Sequence, residues 1–273
     1  MKNIITITQF TLREAFSKKI FITFIGVSSF ILLMFILLFF TVSVDDLLSA
    51  IKLSGEEGID PIGEIIKFFK MAIVIPLYGL GLFLSIFSTS SFIPNMLEKG
   101  GIDLLLSKPV SRSQIIWGKF FGGTLVVFIN IAYLVLGIWL LLGFKFGDWS
   151  IDFLITILSI TFTFSVLYSL IILIGILTRS SILAMMLTYL IFFVFSPILA
   201  ARDKIFLLID STFVEGLLEG LYYILPKTNE LGVITQNLAM GANITDYQPI
   251  ITSLLFMILN LTLSIIIFSK KDY

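Results

Sequence analysis

Histidine and cysteine are both absent from the 273-residue sequence, and only 13% of its residues carry charge. Without cysteine there are no disulfides and no thiol nucleophile, and the redox compartment is left undetermined. Without histidine the commonest metal ligand and general base is missing. No nucleophile with a base, intramembrane acid pair or metal-ligand spacing takes its place. The charge that is present balances, with 18 basic and 18 acidic residues, so nothing points to a nucleic-acid partner. No G-x-x-x-x-G-K-[ST] phosphate loop occurs, since Gly118-Lys119 is followed by Phe120 and not by Ser or Thr. The chain is therefore not expected to hydrolyse ATP by that mechanism.

What it has instead is apolar length. Hydrophobic residues make up 58% of the sequence and the mean hydropathy is +1.08. Counting uncharged runs gives six stretches, 20–44, 71–97, 120–144, 153–178, 180–201 and 247–269. Each exceeds the roughly 20 apolar residues that a bilayer core requires. The expected fold is all-α, a polytopic protein of six transmembrane helices in one domain. No ionisable residue lies inside these runs, whereas ion-coupled carriers normally place one there. The run from Ile20 is too long for a signal-peptide core and has no convincing cleavage site, so it reads as the first span.

Six spans put both termini on one side. With that side inside, the inner segments hold eleven of the 18 basic residues and only four of the 18 acids, and the positive-inside rule favours cytoplasmic termini. The loop 45–70 is then external, and its acidic excess reads as solvated charge.

The stretch 98–119, EKGGIDLLLSKPVSRSQIIWGK, is the longest charged connection on the inner side. Gly100 and Gly101 permit a sharp turn, and Ile102, Leu104, Leu105 and Leu106 follow in a segment too short to cross a bilayer. That predicts a short helix or turn along the membrane surface, ended by Pro109. Ser111 with Gln114 three residues on predicts a capping box, and Val110 with Ile115 a hydrophobic staple.

A Glu, paired glycines, LLLSKPVSR and a Gly-Lys opening the next span together resemble the membrane subunits of type-2 ABC exporters. The resemblance implies that the segment from Glu98 is a coupling helix that docks on a separate ATP-hydrolysing subunit. Glu98 would be its polar anchor, Gly100 and Gly101 its bend, and Leu104, Leu105 and Leu106 its apolar contacts. Pro109 and Ser111 would pass its movement to the third span, and Arg112 would be a charged contact. The plain alternative is an ordinary loop whose cations hold it in the cytoplasm. The resemblance also implies ABC ATP-binding subunits and a second permease copy or paralogue as partners, within the lipid bilayer of the plasma membrane. No cofactor would be bound by this chain, with ATP and Mg on the partner subunit.

Residues 1–19 predict an amphipathic helix with Ile4, Ile5, Thr8, Leu12, Ala15 and Phe16 on one face and Lys2, Gln9, Arg13, Glu14 and Ser17 largely opposite. The resemblance makes it the interfacial elbow helix before the first span. In the spans, Ser85, Ser88, Thr89, Asn130 and Thr163 are candidates for a weakly polar substrate path, or for helix packing. Gly118 and Gly122 form a small-xxx-small pattern. In the external segment 202–246, Thr212 and Glu215 predict a capping box, and Val214, Leu217, Leu218, Leu221, Tyr222 and Leu225 follow at helical spacing. A second helical stretch after Asn229 and a short tail, 270–273, complete the chain. The function expected is that of a permease subunit of an ATP-driven transporter, an exporter by resemblance; a secondary transporter or channel, or a membrane scaffold without transport, are the alternatives. The sequence does not name a cargo.

Overall fold

The computed structural model describes residues 2–17, 19–43, 61–97, 110–208 and 211–271. All regular structure among these residues is helical. The elements are α1 Lys2–Ser17, α2 Lys19–Thr41, α3 Pro61–Met96, α4 Arg112–Phe146, α5 Ile151–Thr178, α6 Ser181–Ala200, α7 Arg202–Phe206, α8 Thr212–Ile224, α9 Thr228–Ala239 and α10 Gln248–Lys270. Six are long and apolar enough to cross a membrane: α2 over Ile22–Thr41, then α3, α4, α5, α6 and α10. With backbone hydrogen bonds satisfied within each helix, these can stand in hydrocarbon.

The bundle is built around α5, of which 83% of the spanning stretch is buried, against 11% for α2. Apolar residues surround α5 on all sides because it is flanked by α3, α4, α6, α9 and α10. Tyr168, Phe153 and Phe164, all on α5, are among the largest fully buried side chains. Helix α2 lies at the edge and packs chiefly on α4.

The two ends of the bundle are distinct. At the proximal end lie α1, the starts of α4 and α6 and the ends of α3, α5 and α10. At the distal end lie the starts of α3, α5 and α10 with α7, α8 and α9. The α5–α6 hairpin is closed by Arg179 at φ +54° and by Ser180, whose Oγ accepts from Leu183 N at 3.3 Å.

The structure corrects several boundaries. Helix α3 begins at Pro61, so the last ten residues of the expected 45–70 loop are helical; Ile65, Phe69 and Ile73 lie on one buried face. Splitting runs at every charge cut the helix at Lys70, but Lys70 is a buried partner of Asp148 at 2.6 Å and of Ser150 Oγ at 2.6 Å. Helix α4 likewise takes in Arg112, Lys119 and Lys145, and Lys145 Nζ donates to Phe39 O at 2.6 Å and Val42 O at 3.1 Å, closing the end of α2. The Thr212–Glu215 capping box does not form. Ser211 takes the N-cap position without a side-chain bond, which leaves Thr212 inside the first turn of α8.

Two helices widen at prolines. A π-helical turn, Leu77–Gly81, follows Pro76 in α3, and another, Leu190–Phe195, precedes Pro197 in α6. The helices meet beside these turns, where the rings of Phe83 and Tyr189 stack at 4.5 Å and Tyr189 OH donates to Phe83 O at 2.8 Å.

Candidate functional site

The proximal end is assembled from α1, α4, α5 and α10. Ser111 caps α4 as its sequence predicts: Gln114 N donates to Ser111 Oγ at 3.3 Å and Ser111 N to Gln114 Oε1 at 3.2 Å. The same Gln114 Oε1 accepts from Asn3 Nδ2 at 3.1 Å, so the cap is joined to α1. Arg112 turns to α10, where its Nη1 donates to Phe268 O at 2.6 Å, to Ser269 O at 3.4 Å and to Lys271 O. Lys271 Nζ in turn donates to Ile176 O at 2.8 Å, at the end of α5. Orphan carbonyls at two helix C-termini are thus closed by cations, the favourable sign for those ends.

Helix α1 lies flush against α4. Gly118 and Gly122 have no side chain to hold it away; an added Cβ would meet Ile7 Cβ at 2.6 Å and Thr11 Cβ at 2.5 Å. Thr8 Oγ1 donates to Gly118 O at 3.2 Å, and Lys119 Nζ pairs with Glu14 Oε2 at 2.8 Å. The buried face of α1 is therefore centred on Ile7, Thr11 and Ala15, while Ile5 and Phe16, assigned from sequence to the same face, remain exposed. The contact is centred on Ile7 and Thr11, which lie outside the arc assigned from sequence, and of that arc only Ala15 is buried. Glu14 was assigned to the opposite, polar face and Lys119 only to the Gly-Lys that opens the span, so their pairing was not foreseen. The available signal was the Gly118/Gly122 pair, which calls for a close partner without saying which helix supplies it.

Of the residues assigned to coupling, Ser111 and Arg112 lie at this end. Glu98, Gly100, Gly101, Leu104, Leu105, Leu106 and Pro109 lie outside the described residues.

The path candidates separate into two places. Ser85 and Asn130 line a 370 Å³ cavity between α2, α3 and α4, together with Ser28, which the sequence reading did not pick out. Ser88 and Thr89 do not line it. Their hydroxyls donate to Ser85 O at 3.0 and 2.8 Å, satisfying their own helix. Thr163 sits on the far side of α3 in a buried contact, where Tyr78 OH reaches its Oγ1 at 3.4 Å and also bonds Thr228 O. Ser159 meets Thr235 at 2.6 Å on the same side. These two links hold α9 between α3 and α5, with Gly232 against the Tyr78 ring. Helix α9 is thus inserted into the distal end, more deeply than a cap resting on the bundle.

Around α9 the distal end carries an aromatic-cation stack. Arg202 and Lys227 lie at 3.5 and 3.7 Å from the Tyr222 ring centre. Burial pulls the Lys227 ammonium below the ordinary lysine value, opposed by Glu230 and Asp246 and reinforced by Arg202.

Residues 16–273 match the family model described as ABC-2 family transporter protein. The chain belongs to the ABC-2 transporter family. No curated protein matches it closely enough to name a relative. The family match covers all six spanning helices, and it makes this protein a multi-pass membrane permease of an ABC transporter. ABC-2 permeases are typically non-catalytic and generally work with ABC ATP-binding subunits.

Proposed function

We propose that this ABC-2 permease is an exporter subunit of the plasma membrane, driven by separate ATP-binding subunits that dock on its proximal end. In this reading the proximal end and both termini are cytoplasmic, as the distribution of Lys and Arg favours. Within the coupling loop 98–119 the segment from Glu98 to Lys108 is the docking lever, ATP and Mg stay on the partner, and a second permease copy or paralogue completes the passage.

The observation that carries the proposal is the proximal clasp. Arg112, one residue beyond the N-cap of α4, holds the carbonyls ending α10, while Gln114 and Lys119 hold α1. A displacement delivered just before Ser111 would therefore reach α4, α10 and α1 together. ATP binding that draws two ATPase subunits together would supply that displacement, and its reversal on hydrolysis would reset the bundle.

The test is to co-express the permease with candidate ATP-binding subunits, isolate the complex and measure transport-linked ATPase activity. Copurification, with Gly101→Pro and Arg112→Ala uncoupling ATPase from transport, is the expected result. No bound ATPase, or ATPase coupling unchanged in both variants, would overturn the arrangement.

A further inference from the structure

The cavity between α2, α3 and α4 is unlike a water-filled conduit in three respects. It lies at mid-height: its walls come from Phe24 to Phe35 on α2, Ala72 to Ser85 on α3 and Val127 to Leu134 on α4, each well inside its helix. It opens sideways, because Leu80 and Leu84 line it and are themselves exposed on the flank of the bundle. Its lining holds no ionisable residue, so a charged group inside would have no counterion.

Its few polar groups are unequal. Ser85 Oγ donates to Gly81 O at 2.7 Å and Ser28 Oγ to Asn130 Oδ1 at 3.1 Å, so both hydroxyl protons are used within the protein. Asn130 is nine-tenths buried and lines the cavity, and its Nδ2 donates no hydrogen bond to any described residue. A carboxamide with donors to spare costs more at this depth than the leucine or valine that would pack there. An apolar chamber of this size with one positioned donor is the usual form of a site for a small hydrophobic ligand.

We propose that this cavity binds an uncharged lipid-like molecule, acyl or prenyl in body, that enters from the bilayer between α2 and α3 and presents an ester, ether or carbonyl oxygen to Asn130 Nδ2. As a statement about cargo, this rests on the permease reading above; as a binding site, it stands on the chain alone. The π turn at Leu77–Gly81 contributes directly, since Leu77, Leu80 and Gly81 all line the cavity.

The probe is a photoactivatable diacylglycerol at trace level in phosphatidylcholine nanodiscs that hold the full chain without any ATPase. Crosslinks are expected at Ile31, Ile73, Leu77 and Ile131, and unlabelled diacylglycerol should compete them away. Asn130→Leu should weaken competition about fivefold to tenfold, the effect of one lost hydrogen bond. Val127→Phe, which fills the chamber and keeps the amide, should abolish the crosslinks, with melting temperature checking that both variants fold. Labelling spread evenly over outward residues such as Leu136, Leu140 and Ile258, or indifferent to both substitutions, would mean annular lipid only and overturn the proposal. So would rapid disulfide dimerisation of Leu80→Cys, which would show a second copy seated over the opening. Because no ATPase is present, a failure here leaves the permease reading standing, and loss of ATPase copurification leaves this site standing.

Discussion

Two lysines buried at opposite ends of the molecule behave differently because their surroundings differ. Lys119 is buried against Glu14 at 2.8 Å, with Phe10 a further 5.7 Å neighbour. Removing one member of such a pair leaves the other charge uncompensated. Lys119→Met alone leaves the more exposed Glu14 within reach of water, whereas Glu14→Gln removes the carboxylate charge that the buried ammonium meets at 2.8 Å. Glu14→Gln is therefore expected to be the more damaging, by up to about 3–5 kcal/mol, with most of the loss recovered in the double variant. A double-mutant cycle on thermal unfolding in detergent checks it. Lys227 has no hydrogen-bond partner for its buried Nζ among the described residues, only the rings of Tyr222 and Tyr223 at 3.7 and 5.3 Å. Its ammonium is lowered in the folded state and ordinary in the unfolded one, so the unfolded chain holds the proton more tightly. Stability should then rise with pH from the folded value up to the ordinary lysine value of about 10.4. Lys227→Met should flatten that rise without lowering stability at neutral pH, as melting temperatures between about pH 7 and 10.5 will show.

Helices were legible from the sequence where they stand alone and less so where they meet. The apolar runs located all six spanning helices because length and hydropathy decide a bilayer crossing. The Ser111–Gln114 cap was legible because both of its partners lie within one turn. Pairings between helices carry no such local mark: nothing in the spacing of Thr228, Thr235 or Gly232 tells that α9 enters between α3 and α5. That insertion is open to test through Tyr78, whose hydroxyl bonds the Thr228 carbonyl and reaches Thr163. Tyr78→Phe removes one of the two donors to the buried carbonyl and should cost about 0.5–1.5 kcal/mol, felt as faster amide exchange over Thr228–Ala239 and not over α2. Contact between α1 and α4 is tested at Gly122, since any side chain there collides with Thr11. Gly122→Leu should destabilise by about 1–3 kcal/mol and release amide protection in α1.

At the scale of the whole molecule, the missing cysteines become an experimental asset, because any introduced thiol is the sole one. Ser17 and Ser269 are exposed at the proximal end and Asn243 at the distal end. In intact cells, Asn243→Cys should react with a membrane-impermeant maleimide, and Ser17→Cys and Ser269→Cys only after permeabilisation. The reverse pattern would place the clasp on the wrong side for an ATPase. Charge counting along the chain is what favours this orientation, but it split helices at Lys70 and Lys119, because a count cannot tell a solvated cation from one already paired. The widened turns beside Pro76 and Pro197 have a consequence at this scale. Each lodges one surplus residue in its rod, so the half above it is clocked by about 100° from where an unbroken spiral would set it. Deleting a single residue from Leu77–Gly81 would leave α3 long enough to cross, yet would swing Leu84 and Ser85 off their wall and present a different stripe of the helix to Tyr189.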